Sequence, residues 1–292
     1  MLNFRVLTVA LTVVFSVPGL SGCGSTLAKM QTIYDQDNRT PMTESNPNLA
    51  VFGPSIALLT RSFRLQDLGN QKFKLTAPKF GDFFGLCRNE SFFEEPILGD
   101  CTGFLVDDTH LVTAGHCISS QSDCEQRSFV FNQYKSTQPN LHSSEIYSCR
   151  RIVSSLAKDD GDLVVVELDR AVTQSPLSKY FNLDANENQN PNNLVTLGHP
   201  SGLPLKSAPL EGLSGVALGA YFWGKADVSG GSSGSPLFDP RTGSLQGVVI
   251  GGENDFVWDS KESCSRSRVC TNESCSGERF ATRDALLRLL KK

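Results

Sequence analysis

Of the four histidines in this 292-residue chain, one stands in a setting that suggests chemistry. His116 lies in Thr113-Ala114-Gly115-His116-Cys117, and well downstream Gly231-Ser232-Ser233-Gly234-Ser235-Pro236 sets serines among small residues. A serine hydroxyl is a poor nucleophile at neutral pH. It needs a neutral imidazole to take its proton and a carboxylate to hold that imidazole in the right tautomer. The other histidines offer less: His110 falls inside a strand pattern, His142 in a polar loop, and His199 before Pro200 in a glycine-rich turn. For the acid, Asp159-Asp160-Gly161-Asp162 opens the apolar run Leu163 to Leu168. Asp159 and Asp160 belong to the turn, whereas Asp162 at the foot of a strand can be fixed by a sheet and partly buried. Among Ser232, Ser233 and Ser235 the residue types alone do not choose. A phosphate-binding loop would need a lysine after its glycine, and none follows Gly234. Glycines on both sides of the serine pair let the chain turn sharply, so that two backbone N–H groups could converge on a developing oxyanion. Such donors contribute about 2.7 to 4 kcal/mol each to a transition state.

The elements that must position these groups read as short strands. Gly103 to Val106 and His110 to Thr113 form a hairpin around the turn Asp107-Asp108-Thr109, and Phe129 to Phe131, Ile152-Val153, Leu163 to Leu168, Leu194 to Leu197 and Gly247 to Ile250 continue the series. Residues 51–85 give weak signals because Gly and Pro interrupt every apolar run. The amphipathic helix expected is 283–291, with Thr282 as cap and basic residues in its last turn. Many short strands and one late helix predict an all-β sandwich or barrel architecture. Pro191-Asn192-Asn193 is the expected internal boundary, reached through the polar run Asp184 to Asn193, which has no apolar period.

Composition limits partners and compartment. Residues 1–22 combine Arg5, the apolar run Val6 to Val17 and a break of small residues, which is an export signal too short for a membrane span. Residues 23–50 are polar without apolar period and read as a tether or pro-segment; 51–292 is the expected folded body. Nine cysteines is odd for an exported chain. Leu20-Ser21-Gly22-Cys23 resembles the lipobox of bacterial lipoproteins, which would place a lipid on Cys23 and leave eight cysteines for four disulfides. That would tether a soluble body, outside the cytoplasm, to a bacterial membrane. With a net charge of −4 and no basic stripe, nucleic acid is not an expected partner.

Thr113 to Cys117, Asp162 to Leu168 and Gly231 to Pro236 resemble the three signature segments of chymotrypsin-like serine peptidases, in the order His, Asp, Ser that this fold uses. Gly-Ser-Ser-Gly-Ser-Pro, Phe104-Leu105-Val106 and Leu197 to Pro204 resemble the bacterial trypsin-like and glutamyl endopeptidase branch. The resemblance implies two packed six-stranded antiparallel barrels, roughly 80–183 and 191–281, with the site in the cleft between them. It implies Ser233 as nucleophile, His116 as general base, Asp162 as its orienter, and the amides of Gly231 and Ser233 as oxyanion donors. The substrate would be a protein or peptide, with no cofactor or metal, acted on by a monomer. It also implies a Cys117–Cys124 disulfide beside the histidine and, more weakly, Cys87–Cys101. Cys149, Cys264, Cys270 and Cys275 stay open, a zinc site being the alternative to disulfides. Ser232 stands where digestive members carry the acid that pairs with a freed N-terminus, so that activation route is absent.

For substrate binding, Asp227 matches the pocket-base acid of trypsins, which would favour Arg or Lys before the cleaved bond, or it braces the loop through backbone amides. Val249 replaces the pocket histidine of glutamyl endopeptidases, which disfavours glutamate. Gly251 and Gly252 would leave the pocket mouth open, with backbone available to an extended substrate. The competing reading is a catalytically silent member of the fold serving as a binding module; an esterase would share the triad.

Overall fold

Six strands close on themselves in the order Ile146–Ser155, Leu163–Leu168, His110–Ala114, Cys101–Leu105, Ile56–Arg61, Arg127–Phe131, and back to the first. Every pairing is antiparallel. The computed structural model describes residues 32–43, 47–133, 140–173, 180–183, 193–215, 219–270 and 275–291. The export signal, Cys23 and the boundary residues Pro191 and Asn192, with the polar run from Asp184 before them, lie outside the described residues.

A second sheet runs Gly212–Leu213, Tyr221–Lys225, Glu278–Thr282, Leu245–Gly251, Pro236–Phe238, Val195–Gly198, Lys206–Pro209, Thr40–Pro41. Lys206–Pro209 and Gly212–Leu213 are two halves of one bent segment. Its junction stays bonded on both sides, Leu210 N–H donating to Leu194 O and Glu211 N–H to Lys225 O, at 2.8 Å each. The bend closes this sheet into a second six-stranded barrel, with Thr40–Pro41 added outside. The all-β, two-barrel architecture expected from the sequence is therefore the observed one.

The first barrel begins well before the expected boundary at residue 80. Its strand Ile56–Arg61 is buried along nearly its whole length, so it lacks the in–out alternation by which a half-buried strand is recognised. Residues 32–43 also depart from expectation. Thr32–Tyr34 pairs in parallel with Cys264–Cys270, and Thr40–Pro41 pairs with Lys206–Pro209. Ile33, Tyr34, Arg39 and Met42 are buried there, so this part of the expected tether belongs to the folded body.

The barrels meet through aromatic rings. Phe104 of the first and Phe238 of the second both pack on Phe181, at centroid distances of 5.3 and 4.8 Å, and Phe52 stacks on Phe181 at 5.3 Å. The C-terminal helix Arg283–Leu290 forms as read: Thr282 Oγ1 accepts from the Ala285 amide, and Ala285, Leu286 and Leu289 are buried. It crosses back to the first barrel, where Ser154 Oγ donates to Leu289 O at 3.1 Å.

All eight cysteines after Cys23 are paired, but neither expected disulfide forms. The bonds are Cys101–Cys117, Cys124–Cys149, Cys87–Cys264 and Cys270–Cys275. Cys117 does not take Cys124, because the hairpin register Gly103↔Thr113 sets Cys101, at the start of one strand, beside the turn that follows the other. Cys124 instead faces strand Ile146–Ser155 from the helix Gln121–Glu125. Cys87 does not take Cys101, because the chain bridges at Leu86↔Ser265, next to Cys264. The four cysteines weighed as zinc ligands are thus divided among three disulfides.

Candidate active site

Strand register brings the base and its acid together. Leu163 pairs with Ala114, so Asp162, one residue before its strand, faces the turn Gly115–Cys117 that ends the partner strand. The Gly115 amide donates to Asp162 O at 2.6 Å, and His116 Nδ1 lies 2.7 Å from Asp162 Oδ2. Asp162 is only 6% exposed and adopts φ = 48°, a left-handed conformation that aspartate tolerates better than most residues. A buried carboxylate on Nδ1 fixes the tautomer whose Nε2 is free to accept a proton. Of the aspartates in the run, Asp162 is the one that makes this bond.

The loop Ser229 to Ser235 is sewn to both barrels. Thr102 N–H donates to Ser233 O at 2.8 Å, Thr102 Oγ1 donates to Gly231 O at 2.7 Å, and it accepts the His199 amide at 2.9 Å. Behind the loop, Gly234 N–H donates to Val249 O and Val249 N–H to Ser235 O, at 2.7 and 2.9 Å. Gly234 sits at φ = 92°, and a Cβ there would fall 2.0 Å from Thr102 O. Gly231, at φ = 115°, is equally closed to a side chain, with Gly202 N at 2.5 Å. Both glycines are required by a positive φ and by close backbone approach.

The Ser233 backbone therefore lies beside the turn Gly115–Cys117 that carries His116. Cys117 Sγ, consumed in its disulfide, lies 3.8 Å from Ser233 O. The directly bonded pair is His116–Asp162; among the described residues the Ser233 hydroxyl makes no hydrogen bond to the imidazole, and Ser233 is 5% exposed. The amides of Gly231 and Ser233 are not among the loop's N–H donors, which are Ser229, Gly230, Ser232, Gly234 and Ser235. Cys101, His116 and Cys117 bring a nitrogen and two sulfurs within 4.8 Å of one another. Both sulfurs are bonded to each other, so neither offers the thiolate a metal would need.

The other three histidines have local tasks. His110 Nδ1 pairs with Asp107 Oδ2 at 2.8 Å, and the His142 side chain accepts from the Ser144 amide. His199 is 1% exposed with Nδ1 2.9 Å from Leu203 O. Burial pushes it down to about 4, so it stays neutral and donates to that carbonyl.

Asp227 is also buried, at 1% exposure. Its Oδ1 accepts the Tyr34 amide at 2.7 Å and its Oδ2 the Asn38 amide at 2.8 Å. This is the amide-bracing geometry, though the segment it holds is 34–38 and not the serine loop. Burial pushes its carboxyl up to about 7, opposed by those two N–H groups. Val249 is 2% exposed in the core of the second barrel and serves the site through its backbone. Gly251 is buried and pairs with Arg279, and Gly252 is exposed. On the opposite edge of Leu245–Gly251, pairing with Pro236–Phe238 ends at Val248. Sequence reasoning missed Thr102, since a threonine inside a strand pattern gives no signal of a loop that arrives from far along the chain.

Two barrels with a buried-carboxylate–imidazole pair at their junction, facing a glycine-flanked serine loop, define the class of two-barrel peptidases. The chain belongs to the trypsin-like peptidase domain family, whose model matches residues 101–248. No curated protein shows a significant match. Similar solved structures include the inactive form of Rv3671c from M. tuberculosis, at 15% identity and TM-score 0.47, covering 87% of this chain and 93% of that one. The active form of the Rv3671c protease from M. tuberculosis is 16% identical with TM-score 0.48, covering 97% of this chain and 94% of that one.

Proposed function

We propose that this protein is an extracytoplasmic serine endopeptidase, held to a bacterial membrane by a lipid on Cys23. Ser233 Oγ attacks the scissile carbonyl while His116 Nε2 takes its proton, then returns it to the leaving amine. Asp162 holds the imidazole and stabilises the imidazolium, and the amides of Gly231 and Ser233 receive the oxyanion. Water repeats the sequence to free the acyl group from Ser233. The observation that carries this reading is the 2.7 Å contact between His116 Nδ1 and Asp162 Oδ2, set beside a serine loop that Thr102 fastens to the same barrel. A catalytic hydrogen bond such as that from Ser233 Oγ to Nε2 commonly tightens only in the complex with substrate.

The resemblance to the glutamyl endopeptidase branch supports a bacterial lineage for the site. The apolar, buried Val249 argues against glutamate as the preferred residue. The edge of Leu245–Gly251 beyond Val249, whose backbone is already bonded to Gly234 and Ser235, supports binding of an extended peptide as an added strand.

A fluorophosphonate probe tests the reading. Mature protein should be labelled, and Ser233→Ala should abolish labelling without loss of fold. Labelling that persists in Ser233→Ala would reassign the nucleophile. The silent-module reading draws on the burial of Ser233 and the unmade bond to His116; a folded, mature protein that never labels would support it.

A further inference from the structure

The short helix Phe80–Phe84 and the strand Phe256–Asp259 carry a row of rings that the fold leaves partly in water. Phe80, 1% exposed, roots the row in a small core with Leu86, Ile97 and Leu203. Phe84 lies 5.5 Å from Phe80 and 5.1 Å from Phe256, and Phe83 packs edge-on against Phe84 at 4.9 Å. Trp258, two positions after Phe256, stands on the same face of its strand. The outer members are open: Phe83 is 62% and Trp258 65% exposed. Single exposed rings are ordinary, but a contiguous aromatic row with large open ends marks a surface that meets something.

Where the N-terminal chain joins the body says what that surface meets. Thr32–Tyr34 runs parallel to Cys264–Cys270 with Thr32 opposite Arg268. Thr32 is therefore the end of its strand nearer the turn 260–263, and Trp258 pairs with Ser265 beside the same turn. Two strand spacings of about 4.8 Å and three residues of about 3.3 Å put Trp258 about 14 Å from Thr32. Cys23 lies nine residues before Thr32, a reach of at most about 32 Å. The folded body is on the order of 45 Å across, so a lipid on Cys23 holds the side with Thr32 and Trp258 toward the bilayer. The chemistry of the row suits that surface, since indole favours the headgroup level and phenyl rings the acyl boundary below it. Charges beside the row are matched within the protein, Lys79 with Glu94 at 2.5 Å and Arg266 with Asp259 at 2.9 Å. The attraction is therefore apolar and does not call for an anionic headgroup.

We propose that Phe83 and Trp258 dock on the bilayer that holds Cys23, entering at headgroup level and fixing how the body sits on the membrane. The proposal rests on the lipid anchor proposed above. Tethering makes this second contact intramolecular, so a weak apolar contact suffices. The row is also joined to the serine loop, because the Gly230 amide donates to Oδ2 of Asp255, the residue before Phe256, at 3.4 Å. Docking would thus set the height of that loop above the lipid.

The test uses the full-length, membrane-extracted protein reconstituted into phosphatidylcholine vesicles, with or without bromine on the acyl chains. Trp223 and Trp258 are the two tryptophans, so Trp223→Phe leaves Trp258 as the reporter. Bromolipid should quench its emission at least twofold. Phe83→Ser should halve that quenching, whereas Phe63→Ser, which removes a ring 85% exposed on the separate turn Ser62–Arg64, should leave it unchanged. Equal loss in the two variants would overturn the assignment to this row. Protein that floats with the vesicles while Trp258 stays unquenched would refute docking and leave the anchor intact. Protein that neither floats nor carries acyl mass on Cys23 would sink the anchor reading, and docking with it. A Trp258 unquenched in vesicles but blue-shifted in native membranes would make a membrane protein the occupant, against the lipid surface proposed. Should Trp223→Phe fail to fold, the difference in emission between wild type and Trp258→Phe gives the same reading.

Discussion

At the scale of single residues, the site depends on one imidazole held by one buried carboxylate. The amide of Gly115 fixes the Asp162 backbone, and the carboxylate is left to face Nδ1 of His116. An asparagine in its place keeps the shape but can present an N–H to Nδ1, which favours the wrong tautomer. Asp162→Asn should lower kcat by roughly four orders of magnitude while leaving the melting temperature within a few degrees. A loss below tenfold in a steady-state assay would remove Asp162 from the mechanism. These residues were legible because their chemistry demands a type as well as a place: imidazole after Ala-Gly, acid before an apolar run, serine between glycines. Asp227 was legible only as an alternative, pocket acid or brace, since spacing to Ser233 says nothing about what lies on its other side.

At the scale of elements, register does the positioning. Leu163↔Ala114 delivers Asp162 to His116, and Thr102 joins a first-barrel strand to the serine loop and to His199 of the second barrel. Thr102 is completely buried. Thr102→Val keeps its volume but leaves Gly231 O and the His199 amide without this partner. Buried groups left unsatisfied cost about 1–3 kcal/mol each. The variant should unfold at lower urea and, if Gly231 is the oxyanion donor proposed above, lose kcat more than it raises KM. Equal kcat at lowered stability would confine Thr102 to a structural role. The hairpin around Asp107 and the terminal helix were readable from turn and cap residues. Ile56–Arg61 was not, because a strand covered on both faces carries no alternating pattern.

At the scale of the whole molecule, the barrels are joined by the Phe52, Phe104, Phe181 and Phe238 rings, by the returning helix, and by His199 bonded to Thr102. Burial makes His199 a sensor of global stability. Its folded pKa, about 4, lies below the ordinary value of 6.5, so the unfolded chain takes up the proton first. Its contribution is therefore complete above pH 6.5 and is lost as pH falls toward 4. At about 1.4 kcal/mol per pH unit the loss is on the order of 3 kcal/mol. Urea unfolding at pH 7 and pH 4.5 should show this loss in wild type and a smaller one in His199→Gln. Equal losses in the two proteins would place the acid sensitivity elsewhere.

The linear chain determined the architecture and marked the segments that carry the candidate site. Residue types at the three signature segments, short alternating strands and an even set of eight cysteines all act through local preference and composition. Tertiary structure decided the rest. Which cysteines pair depends on where strand ends fall in space, so Cys117 meets Cys101 across a hairpin and not Cys124 seven positions away. The fate of the polar N-terminal stretch depends on a surface built from residues nearly two hundred positions later: Tyr34 and Asn38 are ordered because Asp227, buried in the second barrel, accepts their amides. Long-range hydrogen bonds of this kind leave no trace in local sequence, because the donor is a backbone group that almost every residue possesses.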